Sequence, residues 1–156
     1  MRESQRVLIV EACRALIYRY AYLNDERNFE AAADLFTEDA VYRRPSAPEV
    51  LIRGREAILA SLRSRPAVVA TFHLCSDVLV EVDSPRRARA RTRLLLLAGA
   101  RPPDGGTPDP ATLKAPLPGT FRDELTLTAG GWKFSQRIGG LWLANLADPQ
   151  PGNATP

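Results

Sequence analysis

Apolar positions in the first part of the chain recur at helical spacing. Ile9, Cys13, Leu16, Tyr20 and Leu23 form such a stripe between Gln5 and Asn24, a stretch without Gly or Pro. The spacing predicts one long amphipathic helix over 5–24. Asn28 stands as an N-cap before a shorter apolar-periodic stretch, Ala31–Phe36, which ends near Thr37-Glu38-Asp39. Ala40–Tyr42 reads as a short strand, Pro45 and Pro48 mark a loop, and Gly54 opens a third helix, Arg55–Arg63, carrying Ile58, Leu59 and Leu62.

The pattern then turns to strands. Thr71–Val82 and Arg87–Leu97 flank Asp83-Ser84-Pro85-Arg86, a turn by composition. Residues 98–119 are rich in proline and glycine and too long for a hairpin connection, so they are read as a functional flap or a disordered excursion. Phe121–Thr128 and Trp132–Leu143 make a second hairpin around Ala129-Gly130-Gly131. Helices followed by antiparallel strands is the order of an α+β fold. No internal repeat is present. The expected organisation is a single domain, 1–147, with a loose polar tail from Asp148 to Pro156.

Strand alternation sorts the first hairpin into two faces. With a four-residue turn, Val82 pairs with Arg87, and His73, Cys75, Asp77 and Leu79 share a face with Leu96, Leu94, Thr92 and Ala90. That face is apolar except for His73, Asp77 and Thr92, the composition of a pocket wall. The opposite face is expected to hold Val78, Val80 and Val82 beside Arg87, Arg89, Arg91 and Arg93. No aromatic residues interleave with these arginines, as base stacking would require. The strip is therefore read as a solvated or subunit-contacting face, with nucleic-acid binding the weaker reading.

Composition adds limits. At 156 residues, 45% hydrophobic and 25% charged, the chain has the make-up of one globular domain. Of 21 basic residues only Lys114 and Lys133 are lysines, yet the net charge is only +3, weak evidence for a nucleic-acid partner. No apolar run is long enough to cross a membrane, and the charged N-terminus does not resemble a signal peptide, so a cytoplasmic location is expected. Cys13 and Cys75 read as buried thiols, and one histidine with two scattered cysteines argues against structural zinc.

The single histidine, His73, is the residue on which proton chemistry would rest. Its unperturbed pKa suits a general base, although a core histidine satisfied by one hydrogen bond has the same sequence signature. Asp25 is the candidate partner: it ends the first helix, close after Tyr18, Ala21 and Tyr22. A helix C-terminus opposes an acid, so its position calls for a partner, or it is simply solvated. Spacing alone does not bring Asp25 and His73 together.

Ordered motifs carry a resemblance. Tyr20-Ala-Tyr-Leu-Asn-Asp25-Glu-Arg-Asn-Phe29-Glu and Asp34-Leu-Phe36-Thr-Glu-Asp-Ala40 are followed by Gly54-Arg-Glu-Ala-Ile58, Phe72-His73 and Val80-Glu-Val-Asp83. Gly119-Thr-Phe121-Arg-Asp123-Glu-Leu125 and Gly131-Trp132-Lys-Phe134 complete the series. Over residues 5 to 143 the chain resembles the SnoaL-like group of the nuclear-transport-factor-2-like superfamily. The resemblance implies a cone: a curved antiparallel sheet wrapped by three N-terminal helices around an apolar cavity.

In the branch containing scytalone dehydratase and the hexachlorocyclohexane dehydrochlorinase, an Asp ending the first helix orients a strand His that moves a proton during elimination. Asp25 and His73 fall on those positions. The same resemblance implies a cavity lined by Tyr20, Ala21, Tyr42, Leu62, Val68, Leu94 and Leu96, with Cys75 on the same wall. Tyr20, Tyr22, Tyr42 or Asp77 would then supply an acid or a polarising donor. The dehydrochlorinase has a lysine at Tyr20 and an arginine at Thr128, both of which help chloride depart, so the resemblance points away from dehalogenation.

The implied activity is a cofactor-independent elimination, isomerisation or cyclisation of a small apolar, cyclic or polyketide-like molecule, in a homodimer or homotrimer. The alternative is a non-catalytic binding or partner-subunit module of the same fold.

Overall fold

A computed structural model describes residues 1–142 of the chain. The first helix, α1, runs Glu3–Asp25 and buries Ile9, Cys13, Leu16, Ile17, Tyr20, Ala21 and Asn24 on one side. The predicted stripe is thus the buried one, with Leu23 packed at its edge. Burial pushes the Cys13 thiol up to about 12, so it stays protonated. Asn28 caps α2, Phe29–Ala33, by accepting from the Ala31 N–H at 3.3 Å. This helix starts and stops earlier than expected, because Phe36 already belongs to β1, Phe36–Arg43. The proline loop is followed by a two-residue strand, β2 (Ile52–Arg53), that alternation was too short to reveal. Gly54, at φ 87°, then turns the chain into α3, Arg55–Arg63.

The remaining strands are β3 (Val69–Ser84), β4 (Arg87–Ala100), β5 (Leu117–Thr128) and β6 (Gly131–Leu141). Together they form one curved, open six-stranded sheet in the order β2-β1-β6-β5-β4-β3. Neighbours are antiparallel except β1 and β6, which run parallel because β1 enters from the helical layer beside the last strand. The core lies in the sheet's concavity, where Tyr20, Phe36, Tyr42 and Phe134 meet edge to face or tilted. Leu143 and the tail from Asp148 lie outside the described residues.

The first hairpin departs from the expected register in a way that moves side chains. From Val69↔Ala100 to Ser76↔Arg93 the pairing is as predicted, but from Leu79↔Arg91 to Val82↔Ala88 it is one residue out of step, with a second shift before Ser84↔Arg87. The slip is a bulge at Asp77, whose φ of 48° is a left-handed conformation that Asp tolerates better than most residues. Ser76 and Asp77 therefore both face outward, and Val78, Val80 and Val82 turn inward over Ala88, Ala90 and Thr92. The valines do not share a face with the arginines, contrary to expectation.

The arginines do stand on the outer face, with acids between them. Arg89 pairs with Asp83 at 2.8 Å and Glu81 at 3.3 Å, Arg91 with Glu81 at 3.6 Å, and Arg93 with Asp77 at 3.3 Å. Arg87 makes no ion pair among the described residues. No helix among the described residues is long and apolar enough to cross a membrane.

Candidate active site

The cone encloses a cavity of about 370 Å³. Tyr20 and Asn24 reach it from the last turn of α1, Tyr42 from β1, Leu62 from α3, Thr71 and His73 from β3, and Leu94 and Leu96 from β4. The connection between β4 and β5 is 101–116, shorter than the expected 98–119 because both strands run further, and it borders the cavity. It folds back on β4 through the Lys114 N–H to the Ala98 carbonyl at 2.9 Å and the Ala100 N–H to Thr112 Oγ1 at 3.0 Å. Lys114 and Leu117 thereby join the lining. Larger but open concavities on the outer face, such as one between Arg14, Asp77 and Trp142, have no comparable set of buried titratable groups.

Behind the cavity wall Asp25 meets His73, which lines it. Asp25 Oδ1 lies 2.5 Å from His73 Nδ1, and Oδ2 accepts the His73 backbone N–H at 2.7 Å. Both side chains are largely buried, 17% and 13% exposed. A carboxylate only accepts, so Nδ1 carries the ring proton and Nε2 is the nitrogen left to the cavity. The helix-end position that seemed unfavourable for an acid is offset by these donors.

A second layer holds the carboxylate. Thr71 Oγ1 donates to Asp25 Oδ1 at 2.8 Å and itself accepts from Arg65 Nη2 at 2.8 Å. Arg65 Nη1 also donates to Asn24 Oδ1 at 2.6 Å. The chain Arg65–Thr71–Asp25–His73 ties the end of α1 to the start of β3. Sequence reading missed Arg65 and Asn24, since nothing local links residues from separate elements. Thr71 was legible, because it alternates in step with His73.

The cavity floor is a tyrosine pair. The Tyr20 hydroxyl donates to the Tyr42 hydroxyl at 2.9 Å, which leaves the Tyr42 proton free to turn toward the cavity. Burial raises both phenols above their ordinary range, and the Arg137 charge works against that rise. Arg137 is fully buried, its guanidinium 3.8 Å from the Phe121 ring centre and 4.7 Å from that of Tyr20. Its Nη1 pairs with Asp123 at 2.7 Å. Among the described residues, Arg137 Nε and Nη2, Asp123 Oδ1 and Thr92 Oγ1 have no partner.

Five expected positions do not line the cavity. Asp77 is turned outward by its own bulge and pairs with Arg93. Tyr22 is 71% exposed, on the side of α1 away from the sheet. Val68 is exposed in the turn before β3, and its neighbour Val69 lines the cavity instead. Ala21 is buried in the packing of α1 without reaching the wall. Cys75 shares the inward face with His73, half-buried, but lies off the lining, and burial raises its thiol pKa. Among the described residues no cluster of His, Cys, Asp or Glu is arranged to hold a metal.

The fold recurs in solved structures. A scytalone dehydratase-like protein from Novosphingobium aromaticivorans superposes with a TM-score of 0.76 at 23% identity, over 90% of this chain and 88% of that one. A Catenulispora acidiphila protein in complex with S-DNPA gives 0.68 at 25% identity, over 91% and 99%. The hexachlorocyclohexane dehydrochlorinase LinA, type 2, gives 0.74 at 18% identity, over 97% and 99%. None of the curated proteins matches the chain. A nuclear-transport-factor-2-like protein from N. aromaticivorans shares the architecture as well, with a TM-score of 0.69 at 25% identity over 88% of this chain and 84% of that one. The SnoaL-like domain family matches residues 5–138, nearly the whole described fold, and the chain belongs to that family.

Proposed function

We propose that this chain is a cofactor-independent acid–base enzyme acting on a small cyclic molecule, with His73 as general base. The observation that carries this reading is the Asp25 Oδ1 to His73 Nδ1 contact at 2.5 Å, with His73 on the wall of the cavity. A binding module has no need of an imidazole fixed in one tautomer. A proton-transfer catalyst does, because the carboxylate sets the ring orientation and stabilises the imidazolium that forms.

In an elimination, His73 Nε2 removes a proton from the carbon next to a carbonyl. The C–H electrons form the new double bond as a hydroxyl on the neighbouring carbon departs. The imidazolium returns its proton to that hydroxyl, which leaves as water, so charge and protons balance. The Tyr42 hydroxyl donates to the carbonyl oxygen as negative charge develops there. Two structural relatives are named for dehydration and dehydrochlorination, both eliminations, which supports this class. Isomerisation and cyclisation begin with the same proton transfer.

The test is an incubation in D₂O with a panel of cyclic β-hydroxy ketones, following deuterium uptake beside the carbonyl and loss of water by NMR. The native chain is expected to turn over at least one member, and His73→Ala to lose roughly 10²–10⁴-fold in rate. Equal rates for the two proteins would refute the assignment.

A further inference from the structure

The charged residues lining the cavity, apart from His73, are all cations. Arg44, Arg65 and Lys114 line it, and no acidic side chain of the described residues does. Elsewhere some arginines are matched to acids, as Arg14, Arg55, Arg63, Arg89, Arg91, Arg93 and Arg137 are, while others such as Arg87 and Arg122 make no ion pair among the described residues. Arg44, Arg65 and Lys114 make none among the described residues. What sets Arg44, Arg65 and Lys114 apart is that they share one cavity whose lining holds no acid; Arg44 is half-buried and Lys114 exposed at the rim.

The three cations differ in what already holds them. Arg65 is committed to Asn24 and Thr71 in the dyad's support. Among the described residues Arg44 and Lys114 make no side-chain hydrogen bond, and Arg44 Nε is buried without a partner. They come from separate connections: Arg44 follows β1 directly, and Lys114 is fixed on the folded-back strap after β4. Arg44 also acts electrostatically on Tyr42, so its field reaches the cavity floor. Leaving a buried guanidinium nitrogen unpaired is costly unless a ligand completes it. A planar guanidinium matches a carboxylate through paired donors.

We propose that the substrate is an organic acid whose carboxylate is held by Arg44 and Lys114, while its apolar ring occupies the cavity against Leu62, Leu94 and Leu96. This rests on the reading of the cavity as the substrate site and names the substrate class for it. Arg44 and Lys114 then serve binding and register, placing the ring's acidic C–H toward His73, and they take no part in the proton transfer.

The test uses two probes of nearly equal shape, 2-naphthylacetate and 2-naphthylacetamide, titrated by calorimetry at neutral pH into the native chain. The acid is expected to bind about tenfold or more tighter than the amide, an advantage that shrinks as salt is raised. Arg44→Gln combined with Lys114→Gln is expected to reduce the preference to about twofold or less while leaving amide binding unchanged. Circular dichroism checks that the double variant is folded, and the salt series on the native chain stands without it. Equal affinity for the two probes, binding of neither, or a preference that survives both substitutions would overturn the proposal. Repeating the titration with His73→Ala separates the two readings. A retained preference upholds the anion site even if His73 proves not to be catalytic.

Discussion

Asp25 holds His73 at two points, taking the ring N–H on one oxygen and the backbone N–H of the same residue on the other. Ring position and strand position are therefore set by a single carboxylate. Asp25→Asn keeps the shape but presents an amide that can donate as well as accept, so Nδ1 need no longer carry the proton. The substitution is expected to lower kcat by roughly 10²–10⁴-fold with little change in KM. Steady-state kinetics on whichever β-hydroxy ketone is turned over checks this, and an unchanged kcat would contradict it.

The tyrosine pair predicts an asymmetry. Tyr20 spends its proton on Tyr42, and Tyr42 keeps its own for the cavity. Tyr42→Phe is expected to cost about 10²-fold in kcat, the usual loss of an oxyanion donor. Tyr20→Phe is expected to retain most turnover while losing about 1 kcal/mol of stability for the buried hydrogen bond. The two kcat values and two urea midpoints decide the matter, and a reversed order would assign the donor to Tyr20.

Burial holds the Asp123 carboxyl at about 6, above its ordinary 3.8. The folded chain then binds that proton more tightly than the unfolded chain does. The contribution to stability is full below about pH 4 and is lost as pH rises through about 6. Asp123→Asn lacks this term, so the stability of the native chain relative to the variant should fall by up to about 3 kcal/mol between pH 4 and 6.5. Urea unfolding of both across that range tests the sign. A relative stability that rises with pH would mean that the Arg137 charge outweighs burial.

Gly139 marks a close approach between β6 and the loop at the cavity mouth. A Cβ there would lie 2.4 Å from Pro45 Cδ. Gly139→Ala is expected to cost about 1–3 kcal/mol as the Pro45 segment shifts. At Gly130 the nearest atoms would be 3.7 Å away, and its alanine variant should stay within about 0.5 kcal/mol of native. Thermal unfolding of the two variants makes the comparison.

The elements were readable where periodicity was long. The stripe on α1 and the bounds of α3 follow from helical spacing, and the inward set Thr71, His73, Cys75 follows from alternation. Alternation fails at Asp77, where one residue in a left-handed conformation reverses the faces beyond it. No local pattern announces such a bulge, so alternation alone puts Asp77, Leu79 and the three valines on the wrong sides. Asp25 and His73 could be named as partners only by resemblance, because their meeting depends on how α1 packs across β3. Arg65, Arg44 and Lys114 are ordinary basic residues in sequence. Their distinction, a shared cavity without acids, exists only in three dimensions.

The central claim is that Asp25 fixes His73 with Nδ1 protonated and Nε2 open to the cavity. Because His73 is the only histidine, imidazole ¹⁵N NMR reports on it without assignment. In native protein with the imidazole neutral, the nitrogen bearing the proton is predicted to be Nδ1, and Asp25→Asn is predicted to abolish that preference. A native spectrum with the proton on Nε2, or one unaffected by the substitution, would contradict the account.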